Sequence, residues 1–382
     1  MEISRPCSPH RENMTMRALY LIAIVLVVDG HTTLADMFDM GNLFRYYSFH
    51  LMLFAFGAGY FFRQHGGVLS DLAARAKRLL LPLYVWNAVY GVGAALLRRF
   101  GGFEIGAPLN AYTLLLAPIV DGEHFVWNLG SWFIFPLFLT QTLYSLLRRA
   151  AARLWGDREG VTFLLCLLLG SAAVQLCHTG RQDILPLFLC RTLILLPGYA
   201  GGQLYRRRLE QHDTLPTVPY LTAIVILRAL LCVRYENLAY LLSSCTYFVC
   251  GPFGVYAGGA LAIAFYLRIA RLLAPLMEKS RLALYASRHT FAIMMHHFMG
   301  FFALNSVFLM LNALGIGAAD FSVKSFRTAY NYNYAPGGRS EWDVLYLLAG
   351  IGFSLAIAWV IEKSKAAFLA KAEGLAKQKR LG

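Results

Sequence analysis

The chain has 382 residues, of which 58% are hydrophobic and 15% charged, too apolar for a soluble domain whose surface has to be covered with charge. Its formal net charge of +14 does not point to nucleic acid, because the basic residues fall in short clusters between apolar runs rather than along one face of a soluble domain. The composition predicts an all-α polytopic membrane bundle.

Apolar windows of bilayer length predict about ten spans, at 18–34, 45–62, 79–97, 130–147, 161–178, 183–205, 217–235, 250–267, 289–312 and 343–362. With the N-terminus inside, the inner segments hold 25 of the 35 Lys and Arg, so the positive-inside rule places both termini in the cytoplasm. The basic start and apolar first run resemble a signal sequence, but no small-residue cleavage site follows, which predicts an uncleaved first span. The segments 111–120 and 237–250 stay ambiguous: the first is too short to span, and the second reads as a half-helix or as part of the eighth span. Domain boundaries follow as a cytoplasmic segment 1–17, a membrane domain 18–362 and a basic tail 363–382.

The first span finishes on two ionisable residues, Asp29 and His31. Such groups are costly in an apolar span unless they have a partner, water or a task. At two residues' spacing they sit about 200° apart on a helix and do not share a face, so a simple Asp–His dyad is not expected. His50 opens the second span near the same side, Arg191 lies inside the sixth, and His296 and His297 lie in the ninth. Any one of these histidines could be a neutral imidazole satisfied by a backbone carbonyl. Three histidine sites and an arginine in one bundle imply a polar cavity, since burying each separately would cost free energy with no return.

No metal is expected. No carboxylate or closely spaced ligand set accompanies His31, His50 and His297. The seven cysteines include no C-x-x-C and read as buried small hydrophobes, with no disulfide framework. "GAGY" (Gly57 to Tyr60) and "GYAGG" (Gly198 to Gly202) suit close helix packing, or a ligand lying against backbone. No P-loop, G-x-S-x-G, Rossmann fingerprint or H-E-x-x-H occurs, which leaves ATP hydrolysis, serine hydrolysis and zinc proteolysis without support. The polar segment from Ala318 to Asp343, with three Tyr, two Asn and a Trp, suits either sugar contact or a solvated loop packed on the protein.

The ordered series "LIAIVLVVDGH", "FHLMLFAFGAGYFFR", "RAKRLLLPLYVW", "SWFIFPLFLTQTLYSLL", "LILLPGYAGGQLYRR" and "YASRHTFAIMMHHF" resembles the bacterial integral-membrane acyltransferase-3 family, and within it the branch of fucose 4-O-acetylase-like proteins. The resemblance runs from Met16 to about Lys365. It implies a protein of about ten spans in the bacterial cytoplasmic membrane that moves an acyl group, commonly acetyl from acetyl-CoA, to a hydroxyl of an envelope or exported carbohydrate.

Carried over by position, His31, His297 and Arg191 are the implied catalytic residues, and His50 and Trp132, with Phe133 beside it, the implied substrate-binding ones. Tyr60 is expected to join them in substrate binding, and Arg17 and Arg78 to bind the donor. The family's basic residue eleven positions before the histidine is here Tyr20, with Arg17 one turn earlier as the nearest substitute; the Ser of the family's "SGY" is Ala58; and Asp29 stands where a neutral residue is usual.

The chemistry fits, because attack of a hydroxyl on a thioester needs a base that is neutral near pH 7, here His31. The thioester oxygen needs a donor, for which Arg191 or His297 is a candidate, and the clusters Arg63–Arg78 and Arg206–Arg208 suit the phosphates of CoA. The expectation is therefore an O-acetyltransferase whose partners are acyl-CoA, a carbohydrate acceptor and the lipid bilayer, with no nucleic acid. A glycan or lipid-linked-sugar exporter, or an inactive relative, is the alternative.

Overall fold

The computed structural model describes residues 12–32, 37–41, 43–64, 66–329 and 331–381; Arg5, Cys7 and Arg11 lie outside them. The described chain is helical, and its only strand-like pairing is a single bridge between Leu241 and Thr246. Among the described residues, eight helices are long and apolar enough to cross a membrane. They are α1 (Met14–Thr32), α3 (Val68–Gly101), α6 (Glu159–His178), α7 (Leu187–Leu204), α8 (Thr217–Tyr235), α9 (Gly251–Lys279), α11 (Thr290–Ala313) and α13 (Asp343–Leu381). Each covers one of the expected windows.

The two remaining windows look different. In 45–62 a short 3-10 turn, Tyr46–Ser48, precedes α2 (His50–Tyr60), only 11 residues long. In 130–147 the chain runs through a 3-10 segment, Val126–Phe133, before α5 (Ile134–Trp155) begins. Three shorter helices, α4 (Ala117–Val120), α10 (Arg281–Arg288) and α12 (Val323–Thr328), lie in the connections. The segment 237–250 is no half-helix. It is a tight hairpin closed by the Leu241–Thr246 bridge, with Cys245 and Tyr247 in the left-handed backbone region.

Helices α1, α7 and α11 form the interior. They bury the largest share of their apolar windows, whereas α8 buries 11% of its window and faces outward. Helix α7 packs on α2, α5 and α6; α1 packs on α9, α2 and α13; and α11 packs on α13 and the Val126–Phe133 segment. Glycine makes the tightest of these contacts possible. A Cβ on Gly59 of α2 would collide with the Tyr199 carbonyl of α7, and one on Gly202 of α7 with the Phe56 carbonyl of α2. The two glycine-rich stretches therefore bring backbone against backbone, as small residues do between membrane helices.

The bundle has two chemically distinct ends. At one, basic residues pair with buried or half-buried acids. Arg148 and Arg207 each lie 2.7 Å from Glu159, Arg149 lies 2.8 Å from Asp71, and Arg268 and Arg271 both hold Asp213. At the other end lie the C-terminus of α1, the start of α2, the 237–250 hairpin and the 318–343 loop.

Candidate active site

His31 and His297 meet. Nδ1 of His31 lies 2.9 Å from Nε2 of His297, with the rings nearly parallel, 15° apart. The pair is made possible because α1 and α11 are neighbours and because Gly130, in the 3-10 segment, leaves room for the second ring. Nδ1 of His297 lies 2.9 Å from the Ile293 carbonyl one turn back. A carbonyl only accepts, so Nδ1 of His297 carries the proton and Nε2 is bare. Nδ1 of His31 must then donate to it, and Nε2 of His31 is left with a free lone pair.

That ring lines a cavity of about 370 Å³. His50, Trp132, Arg191, Asp121 and Glu123 line the same cavity. His50 Nδ1 donates to the Tyr46 carbonyl at 2.6 Å, so its Nε2 is a second bare acceptor. Arg191 is buried, with its guanidinium 4.9 Å from the centre of the Trp132 ring. It donates to the Asp121 carbonyl at 3.2 Å and to the Ser243 carbonyl of the hairpin. One cation thus ties two loops together at the rim. The carboxylate of Asp121 accepts from the exposed Tyr112 hydroxyl at 2.5 Å, which raises the pKa of that phenol.

His31 is also held from above. Asn331 donates to its carbonyl at 3.2 Å, and Asn333 donates to the carbonyls of His31 and Thr32. These are the last carbonyls of α1, which a helix leaves without internal partners. The Asn-rich part of the 318–343 loop thus caps the helix that carries the histidine. Asp29 faces elsewhere and accepts from the Phe38 amide at 3.2 Å, so the histidine's partner is a second histidine and not the aspartate.

Toward the basic end lies a second cavity, about 560 Å³, lined by Tyr20, Arg63, Arg75, Arg78, Gln141 and Tyr199 among others. Arg78 donates to Gln141 at 3.0 Å. Phe133 and Met294 line both cavities, so the two spaces meet at these side chains. A basic cleft of about 440 Å³, with Arg63, Arg148, Arg206 and Arg207 in its walls, shares Phe62 and Arg63 with the second cavity.

Of the residues singled out in the sequence, His31, His50, Trp132 and Arg191 come together on one cavity, and His297 stands directly behind His31. Arg78 lines the cavity at the basic end. Tyr60 and Arg17 line neither. The Tyr60 hydroxyl donates to Glu210 at 2.9 Å and accepts from Asn13 at 2.8 Å, while Arg17 contacts the Ser287 carbonyl and Glu12 at 3.4 Å each. The Tyr20 ring occupies the lining position next to Gly57 instead. His296, beside His297 in sequence, turns to the other side of α11 and pairs with the Tyr90 hydroxyl at 2.7 Å. Phe133, next to Trp132 in the matched series, and Asn331 and Asn333 of the polar 318–343 segment also take part, while Met294 and Gln141 complete the site without standing out in the sequence, because such residues carry no signal until the helices are packed.

The family model described as an acyltransferase domain (acyltransferase 3) matches residues 17–363, nearly the whole chain and every element of both cavities. The chain belongs to this acyltransferase family. No curated protein and no solved structure matches it. The acyltransferase is thus a polytopic helical membrane protein in which His31, in the last turn of α1, pairs with the buried His297 of α11.

Proposed function

We propose that the protein is an O-acetyltransferase that takes acetyl from acetyl-CoA at the cytoplasmic, basic end and places it on a hydroxyl of an envelope or exported carbohydrate entering from the opposite side. The observation that carries this reading is the His31–His297 pair, whose hydrogen-bond chain leaves one bare imidazole nitrogen on a cavity that adjoins a second, arginine-lined one.

The acceptor hydroxyl gives its proton to Nε2 of His31 as its oxygen attacks the thioester carbonyl carbon. The C–S bond then breaks, and the CoA sulfur leaves with the proton returned from the imidazolium. His297 accepts from Nδ1 of His31 throughout, fixing its tautomer and supporting the charge that develops on the ring. Such a base contributes about 10²–10⁴-fold. Because Nε2 of His297 already faces His31, its role is to position the base. Arg191 is the cation on the same cavity wall, and it meets developing oxygen charge by turning a donor from the loop carbonyls that it holds.

The wall chemistry supports a neutral polyol. The bare nitrogens of His31 and His50 and the carboxylates of Asp121 and Glu123 all accept hydrogen bonds, which hydroxyls supply and anions do not. At the other end, Arg63, Arg75 and Arg78 and the adjoining Arg206–Arg207 cleft suit the phosphates of CoA.

Membranes containing the protein, incubated with radiolabelled acetyl-CoA and an envelope glycan extract, should yield base-labile label on the glycan. Equal incorporation by membranes lacking the protein, or transfer from longer acyl-CoA only, would refute the donor assignment.

A further inference from the structure

Three cysteines that lie far apart in sequence converge behind Arg191. Cys177 is in the last turn of α6, Cys190 in the first turn of α7, and Cys245 in the 237–250 hairpin. All three are buried and free, their sulfur atoms all lie within 4.8 Å of one another, and Cys177 and Cys190 are in contact at 3.3 Å. We propose that they form a binding site for one soft monovalent metal ion of the Cu(I) type.

The spacing suits a single central ion. Three thiolates about 2.3 Å from a metal in one plane stand about 4 Å from each other, so closing this cluster on an ion needs movements of only tenths of an ångström. The donor set then selects the ion. Thiolate sulfur favours soft ions over calcium or magnesium, which take oxygen. No histidine or carboxylate joins the three among the described residues, so a structural zinc ion, which takes four ligands, would lack one.

Cys245 sits at φ 55° in the turn of the hairpin that the Leu241–Thr246 bridge closes, and that turn carries its thiol to those at the ends of α6 and α7. Charge is also provided for. A monovalent ion with three thiolates carries two negative charges, and the buried Arg191 guanidinium follows Cys190 directly in sequence and bonds the Ser243 carbonyl two residues before Cys245. Binding releases the three thiol protons to solvent. The ion would clamp the hairpin to α6 and α7, and so hold Tyr240 to Ser243, which line the His31 cavity. None of this depends on which acyl group is transferred.

The test is an anaerobic titration of the reduced, detergent-solubilised full chain with Cu(I) against a chromophoric Cu(I) chelator. One equivalent should bind, with near-ultraviolet sulfur-to-metal absorption. Cys177→Ser, Cys190→Ser and Cys245→Ser should each weaken binding at least 100-fold, while Cys166→Ser and Cys232→Ser leave it unchanged. In the wild-type protein, where no folding question arises, Cu(I) should protect these three thiols from alkylation as read by peptide mass spectrometry. Unprotected thiols, unaltered binding by Cys245→Ser, or a Cys177–Cys190 disulfide in protein isolated from membranes would each overturn the proposal.

Discussion

Gly130 and His297 are in direct register: a Cβ added to Gly130 would stand 2.7 Å from Cε1 of the His297 ring and 3.2 Å from the Met294 carbonyl. The ring cannot stay where it is if that atom is present, and the carbonyl belongs to helix backbone that does not yield. Gly130→Ala should therefore push His297 off His31 and lower acyl transfer about 10- to 100-fold while the protein stays inserted and abundant. Transfer rate per mole of purified protein checks it, and a normal rate would show that the pair tolerates displacement.

His31→Ala should abolish transfer, a loss of about 10²–10⁴-fold, with unchanged membrane abundance. His297→Ala should cost less, because the base survives without its orienting partner, and His297→Gln, which can still accept from Nδ1 of His31, should recover part of the loss and shift the pH profile. Asp29→Asn should change turnover only modestly, since its carboxylate serves the Phe38 amide. Wild-type turnover in His31→Ala would defeat the mechanism.

Phe133 and Met294 line both cavities, so on the proposed mechanism they border the path of the acyl group to His31. Met294→Ala should raise the rate with butyryl-CoA relative to acetyl-CoA at least fivefold. Competition assays with mixed acyl-CoA donors would read the ratio directly, and an unchanged ratio would place the acyl path elsewhere.

Labelling of a Ser340→Cys variant, made in a background whose native cysteines do not react, should proceed with an impermeant thiol reagent on intact cells. Reaction only after the cytoplasm is opened would invert the proposed orientation.

His124, in the loop before the 3-10 segment, is buried, and burial pushes its pKa down to about 3. Its folded pKa lies below the unfolded value of about 6.5, so the unfolded chain binds a proton there that the folded chain refuses. This contribution to stability is present above pH 6.5 and declines as pH falls toward 3. Melting temperatures in detergent should fall between pH 6.5 and 4.5, and His124→Gln should flatten that slope.

The helical bundle was legible because bilayer length and charge asymmetry are properties of local composition. The windows that differ, 45–62 and 130–147, do so where aromatic and small residues make short 3-10 turns that contact His50 and His297. His31, His50, Trp132 and Arg191 stand out because polar groups and matched positions in apolar runs are visible before any packing is known. Tyr60 and Arg17, expected from the sequence to bind substrate and donor, line neither cavity, since which neighbour a side chain at a helix end reaches depends on helix rotation. Nothing in spacings of 13 and 55 residues revealed that Cys177, Cys190 and Cys245 converge.

The backbone contact between α2 and α7 has a mechanical consequence. Where Gly59 and Gly202 seat each helix on the other's carbonyls, no rotamer change can absorb a slip, and the two helices behave as one stiff strut between the ends of the bundle. Compliance must reside elsewhere, most readily in α8, with only 11% of its window buried. On the proposed function, an acceptor chain that needs room at the His31 cavity would find it by tilting outer helices while the strut holds α2 and α7 in place.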